Sequence, residues 1–163
     1  MSGARLSQSH GFTMIKLLVS MFVVAVGVLG VAALQLATLA NLQLSQQYGV
    51  AAMLADEMAE IMTANPVAAR NNEYDHTAAP KKTKDCAAKT CSSKDMAEYD
   101  QAEWQEEIAG SLYAGAGIVD EDGTTNTFVI TVFWDEDYSG STGKNCPAKN
   151  DDDLDCYQTT VGF

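Results

Sequence analysis

Negative charge is missing from the first third of this chain. Between Lys16 and Asp56 there is no Asp, Glu, Lys or Arg, and all 22 acidic residues lie at or beyond Asp56. The formal net charge of −12 therefore belongs to the C-terminal two-thirds. A domain this acidic is repelled by a nucleic-acid backbone, so its charge reads as solubility and no specific nucleic-acid partner is expected. Histidine is scarce as well: His10 lies near the N-terminus, and His76 sits in a loop-like stretch with no nucleophile beside it. No Gly-rich phosphate loop, His-Glu-x-x-His pair or nucleophile elbow occurs. Asp135, Glu136 and Asp137 adjoin a strand-like run, but nothing distinguishes them from the many other acids. The expectation is a structural protein with no catalytic residues and no obligatory cofactor.

What the chain does have is a long apolar run. The first eleven residues are polar and carry one cation, Arg5, whereas Leu17 to Leu34 is interrupted only by Ser20, Gly27 and Gly30. Eighteen residues of helix span roughly 27 Å, close to the hydrocarbon thickness of a bilayer. A helix apolar on every face suits a membrane, where it closes its own backbone hydrogen bonds. Arg5 and Lys16 precede the run while Asp56, Glu57 and Glu60 follow it, which predicts a single pass with the N-terminus cytoplasmic and the acidic domain exported. A cleaved secretory signal would be shorter and would end in a helix break. Here Ala32, Ala33, Leu36, Leu39, Leu42 and Leu44 carry the helical pattern onward to Asn65-Pro66, where the residue before proline disfavours helix. A plain signal anchor followed by a periplasmic binding domain meets the same hydropathy.

The order of residues at the junction separates these readings. Gly11-Phe12-Thr13-Met14-Ile15 followed by the unbroken apolar helix resembles the prepilin cleavage motif of type IV pilins and type II secretion pseudopilins. Through Leu17-Leu18-Val19-Ser20-Met21 and Val26-Gly27-Val28-Leu29-Gly30 it is most similar to the minor-pilin family called type IV pilus modification protein PilV. A fainter likeness continues at Trp104, Leu112, Gly115-Ala116-Gly117 and Val132-Phe133-Trp134. The resemblance implies cleavage between Gly11 and Phe12 by a prepilin peptidase and N-methylation of Phe12. It further implies residence in the inner membrane and assembly with major and minor pilins on an inner-membrane platform, then display on the cell surface. Adhesion, twitching motility and pilus initiation are the roles it suggests, and a pseudopilin of type II secretion or DNA uptake shares the motif. Pilins usually carry glutamate five residues into the mature chain, where this chain has Lys16. A lysine there adds a positive charge to apolar surroundings, which is costly if unpaired. It either suits a tip position with no subunit ahead of it or snorkels to the cytoplasmic interface.

The expected organisation is a leader over 1–11, an apolar transmembrane and assembly helix over 12–40, a periplasmic helical stem over 41–64 and a head over 65–163. In the stem Met53, Leu54, Met58 and Ile61 are available to pack. Asn65 to Lys94 reads as an irregular loop carrying six of the ten basic residues, Arg70 and the five lysines Lys81, Lys82, Lys84, Lys89 and Lys94. Such a loop is either solvated or touches an anionic surface, DNA or another subunit. Ser93 or Asp95 is placed to cap a helix through Leu112 whose apolar face is Met96, Tyr99, Trp104, Ile108 and Leu112, ended by glycines from Gly110. Ile118-Val119, a turn at Asp122-Gly123, the alternating run Thr127 to Trp134 and a final strand Cys156 to Phe163 predict a small antiparallel sheet. The fold class is thus α+β and pilin-like. Four cysteines allow three pairings, of which the local one, Cys86–Cys91 with Cys146–Cys156, is favoured over zinc because the spacings are not those of a tight knuckle. Asp151, Asp153 and Asp155 have the alternation that opens a calcium loop, without its glycine or its final glutamate; a solvated acidic loop is the competing reading.

Overall fold

A computed structural model describes residues 10–76, 80–123 and 126–163, with only the backbone described for 10–13. Most of the expected leader therefore lies outside the described residues, and Gly11 and Phe12 are present as backbone in the first turns of a helix. That helix, α1, runs His10–Ala64. It is followed by α2 (Pro66–Arg70), α3 (Ser93–Ser111) and the strands β1 (Ala116–Glu121), β2 (Thr127–Trp134) and β3 (Asp155–Gly162). The chain divides into two units, Met1–Gln43 and Leu44–Phe163.

The first unit is described here as residues 10–43 of α1. Its large apolar side chains are exposed all round, from 53% at Leu42 to 74% at Met21. By length and composition the helix can cross a membrane. Its few polar groups are satisfied locally. The Ser20 hydroxyl donates to the Leu17 carbonyl at 2.9 Å and the Thr38 hydroxyl to the Leu34 carbonyl at 2.9 Å, as hydroxyls do where water is absent.

The second unit begins with the last turns of α1, which bury Ala51, Leu54, Ala55, Met58 and Met62. These positions are three, four and seven apart, one stripe of a 3.6-residue helix. Met53 falls off that stripe and is 59% exposed, and Ile61 is only partly buried, which corrects the expected packing set. The helix stops where proline dictates. The Asn65 amide still donates to Ile61 and Met62, but Pro66 has no amide and instead opens α2 at its first position. The stretch read as irregular thus contains a helical turn that buries Ala68 and Ala69.

Helix α3 starts one residue earlier than the expected caps. The Ser92 hydroxyl accepts the Asp95 amide at 3.2 Å while the Asp95 carboxylate takes the Ser92 amide at 3.3 Å, a reciprocal capping box. Its buried face is Ala97, Gln101, Trp104 and Ile108, continued by Leu112. Met96 and Tyr99 lie off that face; a small alanine and a glutamine that donates to the Tyr74 carbonyl replace them. Gly110 lies within the helix, and Leu112 closes it by donating to Ile108 at 2.9 Å.

The sheet has the order β1-β2-β3 and is antiparallel throughout. On the central β2, Phe128, Ile130, Val132 and Trp134 are buried on one face, and Thr131 and Phe133 are covered on the other. Trp104 of α3 lies against β1 at Gly117, where any Cβ would collide with the indole and come within 2.7 Å of Ile108 Cδ1. Glycine is required there by close approach, and the helix and sheet meet through that contact. His76 adds a single bridge to β1 through paired bonds with Val119 of 2.9 and 3.3 Å. The α+β arrangement expected from sequence, an apolar N-terminal helix with a small antiparallel sheet and two disulfides, is the one adopted.

Candidate functional site

In the N-terminal unit the candidate positions are Gly11, Phe12 and Lys16. Lys16 is exposed on α1, immediately before the uncharged run begins. In the second unit the candidate features are the two cysteine loops and the basic stretch around the first of them.

The basic stretch is not free to meet an anionic surface as a block. Lys82 pairs with Glu103 and Glu106 of α3, the latter at 2.9 Å, and its ammonium lies 5.8 Å from the Tyr99 ring centroid. Lys84 pairs with Asp95, and Lys94 with Glu73 at 3.1 Å. Three of the five lysines are therefore engaged within the domain, and residues 81–95 form a strap along α3. Thr83 adds a hydroxyl donated to Glu98. The disulfide Cys86–Cys91 closes the strap's turn, with Cα atoms 5.6 Å apart. Spacing alone could not reveal this, because the partner acids are 11 to 24 residues away in sequence, before or after their lysines.

Exposed ion pairs are individually weak and are screened by salt, but their titration has a definite sign. The Lys84 ammonium, aided by the Ser92 hydroxyl and amide, holds the Asp95 carboxyl down to about 2. Lys82 likewise lowers Glu103. A carboxylate lowered on folding contributes stability present above its ordinary value and lost as pH falls through the folded one. Acidification from pH 4 towards about 2 is therefore expected to release the strap. Heteronuclear NOE values for the amides of residues 81–91 should fall over that interval while those of β2 hold; an unchanged strap would contradict the ion-pair account.

The second disulfide, Cys146–Cys156, ties the loop after β2 to the start of β3. Within that loop Asp153 acts as an internal acceptor. Its carboxylate takes the Asn145 side-chain amide at 2.8 Å and the backbone amides of Lys149 at 2.8 Å and Asn150 at 3.3 Å, which lower its pKa. Asp151 is exposed, and Asp155 stands opposite Trp134 at the start of β3. Among the described residues no group of three His, Cys, Asp or Glu is placed to hold a metal ion.

Sequence reasoning passed over Asp135. It is 2% exposed, and its carboxylate accepts the Ser139 amide at 3.1 Å, the Ser139 hydroxyl at 3.3 Å and the Gly140 amide at 2.8 Å. This holds Tyr138 in the left-handed region, at φ 59°, with its ring 4.6 Å from that of Tyr113. The signal was an aspartate followed by Ser139-Gly140, a loop-capping pattern hidden among neighbouring acids.

Neither a curated protein nor a solved structure matches the chain. A family model does: the Tt1218-like family, described as Type IV pilin Tt1218, matches residues 33–102. The matched stretch runs from the apolar part of α1 through α2 and the strap into α3. Over residues 33–102 the chain is similar to a type IV pilin, and its long apolar N-terminal helix fits the membrane anchor typical of pilins.

Proposed function

We propose that this chain is a minor type IV pilin, a structural subunit and not an enzyme, made as a prepilin and assembled with other pilins. The observation that carries the reading is the continuity of α1, apolar and exposed through residue 43 and then buried by its Ala51, Leu54, Ala55, Met58 and Met62 stripe in a disulfide-bearing head. The match to a type IV pilin family over 33–102 supports it. In this reading a prepilin peptidase cuts between Gly11 and Phe12 and Phe12 is N-methylated. Residues 12–40 then hold the subunit in the inner membrane, 41–64 serve as the stem and 65–163 as the periplasmic head. The partners are other pilins, the peptidase and the inner-membrane assembly platform, and the PilV-like junction supports a role among the accessory subunits that serve initiation, adhesion or twitching.

Filaments sheared from the cell surface test this directly. The chain should be recovered in the sheared fraction at a level well below the major subunit, and confinement to the membrane fraction would refute the reading. Lys16 supplies the reason for scarcity, since a second cation beside the mature N-terminus disfavours repeated burial of neighbouring helices. Lys16→Glu should raise the amount of the chain in sheared filaments severalfold. Unchanged abundance would remove the assigned role of Lys16 without touching the rest.

A further inference from the structure

A groove of about 470 Å³ opens where the end of α1, the strap and the start of α3 meet. Its walls are Ile61 and Ala64 of α1, the Cys86–Cys91 disulfide and Met96, and Asp100 supplies its carboxylate. Asp100 is half-buried, and burial pushes its carboxyl above the usual range. Among the described residues its hydrogen-bond partner is the Tyr74 hydroxyl. The Asn65 side-chain amide donates to the Ser93 carbonyl at 2.8 Å and to the Tyr74 hydroxyl at 3.3 Å, and that hydroxyl donates to Asp100 Oδ2 at 3.4 Å. The Asn65-to-Tyr74 and Tyr74-to-Asp100 bonds run towards the carboxylate, and Oδ1 accepts none of these bonds. The nearby lysines are committed elsewhere, Lys94 to Glu73 and Lys84 to Asp95. Among the described residues no cation is paired with Asp100.

We propose that this groove is a binding site for the side chain of a lysine presented by a partner polypeptide, its ammonium donating to Asp100 Oδ1 and its methylenes lying along Ile61, Met96 and the disulfide. A half-buried carboxylate lacking a cation recognises positive charge, and the surrounding apolar walls accept an alkyl stem. Lysine fits better than arginine. With Oδ2 already accepting from Tyr74, the fork-to-fork pairing that favours guanidinium would have to share that oxygen, whereas an ammonium needs only Oδ1. The site is independent of whether the chain enters a filament.

The test uses the full chain in detergent micelles with 13C-methyl-labelled methionine, titrated with N-acetyl-lysine-N-methylamide and with its norleucine counterpart, which keeps the alkyl stem and lacks the ammonium. The lysine probe should shift the Met96 methyl saturably and bind roughly tenfold more tightly than the norleucine probe, the difference expected of a hydrogen bond to a charged group. Asp100→Asn should remove that preference while the buried Met58 and Met62 methyls keep their positions and report an intact core. Equal binding of the two probes to the native chain would overturn the proposal, as would no Met96 shift with either. That comparison decides the matter without the variant, should Asp100→Asn fail to fold.

Discussion

Trp104→Ala is expected to be the most damaging single change in the second unit, lowering its stability by about 3–5 kcal/mol. The indole is 2% exposed and sits over Gly117, whose missing side chain leaves the space it fills. Its Nε1 donates to the Leu54 carbonyl at 2.8 Å, so the same side chain joins α3 to the end of α1 as well as to β1. Truncation would leave a cavity at the junction of three elements and remove the side-chain bond to the Leu54 carbonyl. In detergent, the thermal midpoint of the head should fall by roughly 10–20 °C, read by near-ultraviolet dichroism. Trp104→Phe should retain much of the packing and lose chiefly the hydrogen bond, costing about 1–3 kcal/mol. A midpoint unchanged in Trp104→Ala would mean that the helix and sheet are held together elsewhere.

Asp135→Ala is the second. Its carboxylate is buried and takes three hydrogen bonds from Ser139 and Gly140, closing the loop that leaves β2. Removing it strands the Gly140 amide, leaves the Ser139 amide with Asp137 alone and loosens the support for the left-handed backbone at Tyr138. A loss of about 2–3 kcal/mol is expected. Asp135→Asn keeps one oxygen acceptor and should cost roughly half as much, because one of the two amides remains served. The Tyr113–Tyr138 ring contact offers a local readout: aromatic NOEs between the two side chains should vanish in the alanine variant and survive in the asparagine one. Equal losses in the two variants would show that the one oxygen asparagine keeps does not hold the loop and that both carboxylate oxygens are needed together.

The fold was legible wherever one dominant local signal operated. Uncharged residues from Leu17 onward announced the apolar helix, Asn65-Pro66 ended it, and the alternation in β2 announced the central strand. Finer placement failed where tertiary contacts chose between equivalent local options. Met96 and Tyr99 fit a helical period as well as Ala97 and Gln101 do, but only the latter pair faces the core, because Gln101 reaches the Tyr74 carbonyl and alanine admits close packing. Ser92 outcompeted Ser93 as cap because only it stands three residues before Asp95. The strap, Asp135 and the Asp100 groove were illegible for one shared reason. Each depends on which charges lie near one another in space, and in a chain with 22 acids the sequence offers too many candidates. Resemblance at the Gly11-Phe12 junction suggested a pilin from a few residues, whereas the family match falls on 33–102, so the two indications rest on different parts of the chain.

The intact mass of the protein, purified from host membranes with and without the prepilin peptidase, tests the central claim most directly. A species that begins at N-methylated Phe12 and depends on the peptidase is the predicted result. A chain still carrying residues 1–11 in both strains would contradict the pilin account and leave a membrane-anchored domain with the same fold.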